Sequence, residues 1–294
     1  MKKTTVIFLY LLAYLFGHPV LAQEMPKGPA PQIEIFRNIA FGSDEKQKLD
    51  IYQPRSKTSA QNTGNLPVVI FIHGGGWQIG DKRRSRTHGK FYAKRGIIFV
   101  SVNYRLSDKA VHPAQMIDVA AAVKWVTENI SKYNGRPYDF ILTGHSAGAH
   151  LAALIGLDKK YLKSHNLAPH LFKLVVPVDS ASFDLPYSAK NGSKVLKHFI
   201  KKNFGDQKSN LLDGSPLFHA QKTTTIPPPF MTFISGERPD IRVSANDFTK
   251  ALKKAGGKAD LITLNGINHK TMNTFISVES PISKIILGAA LNRN

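Results

Sequence analysis

Residues 140–148 read FILTGHSAG and contain the motif G-x-S-x-G. The apolar run 140–142 predicts a buried strand, and the small residues after Ser146 predict a helix. Together they form the strand–turn–helix setting of a nucleophile elbow. Gly144 and Gly148 leave room for a sharp turn in which Ser146 takes a strained backbone conformation. The stretch therefore predicts a reactive serine at the end of a buried strand.

A second glycine-rich stretch, HGGGW at residues 73–77, also directly follows an apolar run. Consecutive glycines let backbone N–H groups point into a cavity, where they stabilise the oxyanion of acyl transfer. We expect Gly75 and Gly76 to donate these hydrogen bonds together with the amide of Ala147. The spacing is not G-x-G-x-x-G and no Lys-Ser/Thr pair follows, which disfavours a nucleotide-binding loop.

The pattern along the rest of the chain predicts an α/β fold. Short apolar runs without alternation indicate strands buried on both faces, as in a parallel sheet, at residues 68–72, 97–102, 140–142, 174–178, 230–234 and 261–264. Two alternating segments, 33–41 and 49–52, predict an opening hairpin. Helical patterns occupy residues 116–130, 147–157, 246–255 and 281–291. Strands alternating with helices predict a doubly wound, mostly parallel sheet.

One segment departs from this alternation. Residues 159–225 are polar and rich in lysine, apart from the apolar run 174–178. Connections of this length are functional or disordered more often than short ones. We interpret the segment as a lid-like insertion, with an exposed insertion that contacts no substrate as the alternative.

The two glycine-rich motifs resemble those of the α/β-hydrolase superfamily in its HGGG-containing esterase branch. Further positions support the resemblance: residues 81–82, 103–106, 112–114, 118, 125 and 143–154. They are similar to bacterial feruloyl/acetyl-xylan-esterase-like proteins, and kynurenine formamidases share the same motifs. The resemblance covers about residues 35–290 and implies an ester hydrolase whose triad runs in the order serine, acid, histidine.

His269 is the expected general base, because it follows the last predicted strand and has the right order in the chain. His145 and His150 flank the serine, and we expect the elbow geometry to direct their side chains elsewhere. The remaining histidines considered lie in the predicted insertion: His165, His170, His198 and His219.

The acid is expected on the loop after the strand 230–234, which offers Glu237 and Asp240. We favour Glu237, because Glu237-Arg238-Pro239 resembles an acid-Arg-Pro pattern of similar esterases, and Asp240 remains the alternative. Asp179 and Asp184, which follow an earlier strand, are outside candidates. Whichever carboxylate serves, it orients the imidazole and stabilises its charged form.

The N-terminus predicts export. Lys2 and Lys3 precede a short apolar run at residues 6–16, and the small residue Ala22 offers a cleavage site before Gln23. The run is shorter than the ~20 residues that a membrane span needs, so a cleaved signal at residues 1–22 is favoured over an anchor. The mature protein is then a single hydrolase domain, residues 23–294.

Composition narrows the partners. The chain has no cysteine, which excludes thiolate nucleophiles and disulfides. Its formal charge of +20 favours anionic partners such as the cell envelope or acidic substrates. No basic-aromatic platform suggests nucleic acid, and no cofactor or metal site is expected. The basic run 82–86 predicts a solvated helix start, with contact to an acidic substrate group as the alternative.

Two other functions fit the same motifs. An amidase or peptidase of this fold uses the same groups as an esterase. A non-catalytic protein that binds anionic polymers is compatible with the charge.

Overall fold

An eight-stranded sheet forms the centre of the molecule in the computed structural model, which describes residues 32–55 and 65–292. The strands are β1 Ile33–Ala40, β2 Lys48–Pro54, β3 Val68–Ile72, β4 Ile98–Val102, β5 Phe140–His145, β6 Phe172–Val178, β7 Phe230–Ser235 and β8 Ala259–Leu264. Their order is β1-β2-β4-β3-β5-β6-β7-β8. β2 pairs antiparallel with both β1 and β4, and the other described pairs are parallel, so the predicted mostly parallel α/β sheet is confirmed.

Helices cover both faces of the sheet. They are α1 Arg86–Ala93, α2 Ala114–Asn129, α3 Ala147–Ile155, α4 Lys159–Lys163, α5 Leu185–Asn191, α6 Lys194–Phe204, α7 Lys208–Asp213, α8 Pro216–Lys222, α9 Pro239–Lys254, α10 His269–Thr274 and α11 Pro281–Leu291. Side chains of α2, α3 and α9 belong to one apolar core, and those of α1 and α11 belong to the other. Burial on both faces explains why the central strands are apolar without alternation.

The segment 159–225 is not one insertion. It contains β6, a fully paired strand between β5 and β7, and the four helices α5 to α8 follow that strand. The run 174–178 is part of the sheet, as its apolar pattern predicted. The candidate lid is therefore confined to the helices around this strand. Its role as a lid stays a prediction.

The basic run 82–86 divides between the interior and solvent. Lys82 is 2% exposed, and its ammonium lies 2.7 Å from a carboxylate oxygen of Asp50, which is also buried. Arg83, Arg84 and Arg86 are exposed. The prediction of a solvated helix start holds for the arginines and is wrong for Lys82, because a buried carboxylate compensates its charge.

Over residues 32–55 and 65–292, no helix is both long and apolar enough to cross a membrane. The predicted signal at residues 1–22 and its cleavage site lie outside the described residues.

Candidate active site

Ser146 occupies the sharp turn between β5 and α3. Its backbone angles, a φ of 56° and a ψ of −121°, are unfavourable for any residue other than glycine. The two motif glycines make the turn possible, since a Cβ on Gly144 would lie 2.5 Å from the carbonyl oxygen of Gly148. A Cβ on Gly148 would lie 2.0 Å from that of Ile72. The strained, glycine-flanked serine is the geometry that the motif predicted.

Backbone hydrogen bonds fix this turn to the neighbouring strand. The N–H of Ser146 donates to the carbonyl of Val178 at 3.1 Å, and the N–H of Ala181 donates to the carbonyl of Ser146 at 3.1 Å. Asp179 lies between these two partners in the chain. The end of β6 is therefore held directly beside the serine.

The loop after β3 presents free amides next to the serine. Gly75 has a φ of 127° and Gly76 a φ of 59°, both in the region that favours glycine. Among the described residues, the N–H groups of Gly75, Gly76 and Ala147 have no hydrogen-bond acceptor. All three positions expected to form an oxyanion hole thus retain a donor for a ligand. Their role in binding an oxyanion stays a prediction.

His269 pairs with Asp179. Nδ1 of His269 donates to Oδ2 of Asp179 at 2.6 Å, and Oδ1 of Asp179 accepts from the N–H of Ser235 at 3.0 Å. The Asp179 side chain is fully buried. Burial alone raises the pKa of this carboxyl, but the hydrogen bond from His269 and the charge of Arg238 outweigh it and lower the pKa. Asp179 is therefore ionised and oriented toward the imidazole.

The acid expected on the loop after β7 does not reach the histidine. Glu237 is exposed to solvent, and Asp240 lies in the first turn of α9, where an oxygen is 3.9 Å from the guanidinium of Arg238. The carboxylate on His269 belongs to Asp179 instead, at the end of the neighbouring strand β6. The sequence-based choice of Glu237, with Asp240 as alternative, is therefore corrected. The residue that contacts the histidine is Asp179, which the sequence offered only as an outside candidate.

The reason lies in the shortness of the β7 loop. Helix α9 begins at Pro239, so only three residues separate it from β7. Arg238 turns inward and donates to the carbonyl of Ser180 at 2.9 Å. Its guanidinium lies 3.9 Å from the carboxylate oxygen Oδ1 of Asp179. The loop thus supplies a cation to the site, and that cation secures the loop carrying Asp179. The sequence signal for Asp179 was its position directly after the apolar run 174–178.

His145 also belongs to the site. Its ring centroid is 4.5 Å from that of His269, and its Nε2 lies 2.9 Å from the carbonyl oxygen of His269. Burial lowers the pKa of His145 to about 3, so the ring is neutral and Nε2–H is the donor. The expectation that its side chain points elsewhere is wrong. For His150 the expectation holds, because it is buried and bonds the carbonyl of Gly214.

Ser146 and His269 open into a common cavity of about 360 Å³. Phe199 of α6 forms part of the wall, so a helix from the segment 159–225 does reach the cavity. Asp179 lies behind the histidine and is not part of the wall. The remaining lining residues are Phe71, His73, Gly74, Gly75, Gly76, Ile79, Arg84, Ser85, His88, His145, Lys270 and Asn273.

A group of metal-type ligands lies elsewhere in the described structure. Oxygen and nitrogen atoms of Asp158, Asp213 and His219 come within 4.8 Å of one another. The ammonium of Lys160 forms ion pairs with both carboxylates, at 3.0 Å from Asp158. A lysine already compensates the charge that would attract a metal ion, and the group does not line the serine cavity.

Comparison with known proteins relates the chain to a protein family and to named esterases. The family model described as BD-FAE matches residues 49–247. The isoprenylcysteine alpha-carbonyl methylesterase ICME of Arabidopsis thaliana is 29% identical over 254 residues, which cover 80% of this chain and 56% of that protein. Esterase LipQ of Mycobacterium tuberculosis is 33% identical over 233 residues, covering 74% of this chain and 53% of that protein. The chain thus spans about half the length of the curated relatives it matches.

A solved structure supports the fold. A truncated carbohydrate esterase from gut microbiota superimposes with a TM-score of 0.72 at 20% identity, covering 90% of this chain and 98% of that one. At this identity the likeness concerns the fold alone.

Proposed function

Because the chain belongs to the BD-FAE family, we propose that it is an exported serine hydrolase that cleaves carboxylic esters with Ser146, His269 and Asp179. The observation that carries the proposal is the 2.6 Å contact between the buried Asp179 carboxylate and His269, whose imidazole lines the same cavity as the strained Ser146. Relatives that are named esterases support the ester as substrate.

The first step in the proposed mechanism is acylation. With Nδ1–H donated to Asp179, the Nε2 of His269 carries the lone pair that accepts the proton of Ser146. The serine oxygen attacks the ester carbonyl, and the carbonyl electrons move onto the oxygen. The amides of Gly75, Gly76 and Ala147 stabilise that oxyanion, each by about 3 kcal/mol.

Collapse of the tetrahedral intermediate completes acylation, and deacylation follows. The protonated imidazole returns its proton to the leaving alkoxide, so an alcohol departs and an acyl-serine remains. Water then attacks the acyl-serine while His269 accepts its proton. The imidazolium returns that proton to the serine oxygen as the acyl–oxygen bond breaks, which frees the carboxylic acid and restores Ser146 and His269. Asp179 stays ionised throughout and stabilises the imidazolium.

Two serines of the same cavity provide the test of the nucleophile. We expect Ser146→Ala to abolish hydrolysis of p-nitrophenyl acetate and labelling by a fluorophosphonate probe. Ser85→Ala serves as the control, because the Ser85 hydroxyl already donates to the carbonyl of Lys82 at 2.6 Å. Full turnover in Ser146→Ala, or loss of labelling in Ser85→Ala alone, contradicts the assignment.

Amide hydrolysis is the main competing activity, since the same triad serves both reactions. Matched assays on p-nitrophenyl acetate and p-nitroacetanilide separate the two. We expect hydrolysis of the ester only, and a faster reaction with the anilide points to an amidase.

Export is the second part of the proposal, supported by the charged, apolar and small-residue regions of residues 1–22. Expression of the full chain in a bacterial host should yield a protein that begins at Gln23, as measured by intact mass. A mass that retains residues 1–22 on a membrane-bound protein contradicts cleavage.

A further inference from the structure

Two exposed cations line the cavity that contains Ser146. Arg84 lies in the short 3-10 helix Lys82–Ser85, and Lys270 directly follows His269 in α10. In the part of the chain that the structure describes, neither side chain has an ion-pair or hydrogen-bond partner. Two uncompensated positive charges therefore border the space that a substrate must enter.

Nearby basic residues are engaged differently. The ammonium of Lys82 is buried against Asp50, and the Nε of Arg83 donates to Asp81 at 2.7 Å. Arg86 is exposed but is not part of the cavity wall. Within the run 82–86, Arg84 thus combines an unpaired charge with a place on the wall.

Among the described residues, those that line the wall include neither aspartate nor glutamate, so no acidic side chain there offsets these charges. Three histidines of the wall, of which His73 and His88 are buried and His145 is half-buried, add no charge of their own at neutral pH. Burial lowers the pKa of His73 to about 4, that of His88 to about 4 and that of His145 to about 3. The electrostatic character of the entrance is therefore set by Arg84 and Lys270.

We propose that the preferred substrates are esters that carry an anionic group, which Arg84 and Lys270 bind at the cavity entrance. The inference rests on the proposed ester hydrolysis and names its substrate class. A guanidinium binds planar carboxylates or sulfates through two hydrogen bonds, while the ammonium acts as a compact charge beside it. A neutral ester gains nothing from either group.

Matched esters test this selectivity on both sides of the ester bond. On the alcohol side, 4-acetoxybenzoate is compared with methyl 4-acetoxybenzoate, and 4-acetoxybenzenesulfonate distinguishes a carboxylate from a sulfonate. On the acyl side, mono(p-nitrophenyl) glutarate is compared with p-nitrophenyl valerate. On the alcohol side, each kcat/KM is divided by the hydroxide-catalysed hydrolysis rate of the same ester, so that leaving-group differences cancel. The two acyl-side esters share p-nitrophenolate as leaving group and are compared directly.

The readout is the anionic-to-neutral ratio of kcat/KM for at least one pair. We expect the double variant Arg84→Gln/Lys270→Gln to lower this ratio about tenfold, about threefold per exposed charge. Raising the salt concentration should lower the wild-type ratio, because solvent-exposed charges are screened. The control variant Arg86→Gln/Lys90→Gln also removes one arginine and one lysine charge, but from exposed positions outside the wall, and should keep the wild-type ratio.

Three results overturn the inference in different ways. An unchanged ratio in Arg84→Gln/Lys270→Gln, with neutral esters hydrolysed normally by the wild type, removes the anion site and leaves the proposed function intact. An equal loss in Arg86→Gln/Lys90→Gln attributes selectivity to the overall charge of the protein. Absence of hydrolysis of every ester by the wild type refutes the proposed function itself.

Discussion

Replacement of Asp179 by asparagine tests the proposed triad most directly, because it preserves the shape of the side chain and removes one hydrogen-bond acceptor. The two carboxylate oxygens have separate tasks: Oδ2 accepts from His269 at 2.6 Å, and Oδ1 accepts from the N–H of Ser235 at 3.0 Å. An asparagine side chain has one carbonyl oxygen and one NH2 group. In this fully buried position it cannot satisfy both donors.

Either orientation of the amide damages the site. With its oxygen on the fixed backbone N–H of Ser235, the amide presents its NH2 group to Nδ1 of His269. The imidazole then carries its proton on Nε2 and cannot accept the proton of Ser146. With the oxygen on His269, the amide NH2 faces the N–H of Ser235, and a buried donor without a partner costs about 1–3 kcal/mol.

The first orientation avoids that buried penalty, so the wrong tautomer should dominate. The same aspartate-to-asparagine change in a serine protease triad lowers kcat by about 10⁴-fold. We expect a fall of about 10³ to 10⁴-fold here, which corresponds to about 4–5 kcal/mol of transition-state stabilisation. KM should change little, since Asp179 lies behind the histidine and does not line the cavity.

The assay is steady-state hydrolysis of p-nitrophenyl acetate at neutral pH. Glu237→Gln and Asp240→Asn are the matched controls, because each also removes one carboxylate charge, the first from the loop after β7 and the second from the first turn of α9. Both controls should stay within about threefold of the wild type, the effect of an exposed charge. A large loss of kcat in Glu237→Gln beside an Asp179→Asn variant of near-normal kcat would falsify the proposed triad.

Two further predictions concern the amides and the buried histidines. Gly76→Ala should lower kcat about 10²-fold in the same assay, because its φ is 59° and the new Cβ would lie 2.4 Å from the ring of Phe199. Gly96→Ala is the control, with a φ of 79° and open space around it, and an equal loss there contradicts an oxyanion role for Gly76. The free energy of unfolding should fall as pH drops from 7 to 5, by about 2 kcal/mol per buried histidine, because the unfolded chain takes up protons below pH ~6.5 that the folded chain does not. The histidines concerned have pKa values lowered by burial, to about 4 for His73 and His88 and to about 3 for His145 and His150. Chemical denaturation at pH 7 and pH 5 measures the free energy of unfolding, and an equal value at the two pH values contradicts the prediction.

The apolar pattern predicted the sheet closely, because burial on both faces demands apolar residues at every position. The predicted bounds of β3 match the structure at 68–72, and those of the last helix match at 281–291. For helix α1 at Arg86–Ala93 the sequence predicted only a start, in the basic run 82–86, since the helix itself is polar and contains Gly89. A tertiary contact explains that glycine, because a Cβ there would lie 2.3 Å from the ring of Tyr52.

The positions of Ser146 and His269 followed from local patterns, whereas the acid did not. Which carboxylate reaches the histidine depends on the direction in which two short loops turn. That direction is decided by Arg238, which turns inward because the carbonyl of Ser180 and the carboxylate of Asp179 stabilise its guanidinium there. Spacing along the chain carries no information about such an interaction between loops.

The three residues of the proposed triad differ in how firmly the sheet holds them. Ser146 and Asp179 follow β5 and β6, neighbouring strands in the middle of the sheet, whereas His269 follows the edge strand β8, where five of six residues are only partly buried. Edge segments open locally at a lower free energy than central ones. Fraying of β8 would withdraw the base while the serine and its carboxylate neighbour stay in register. Heating should therefore extinguish turnover before the core melts, and cooling should restore it without refolding.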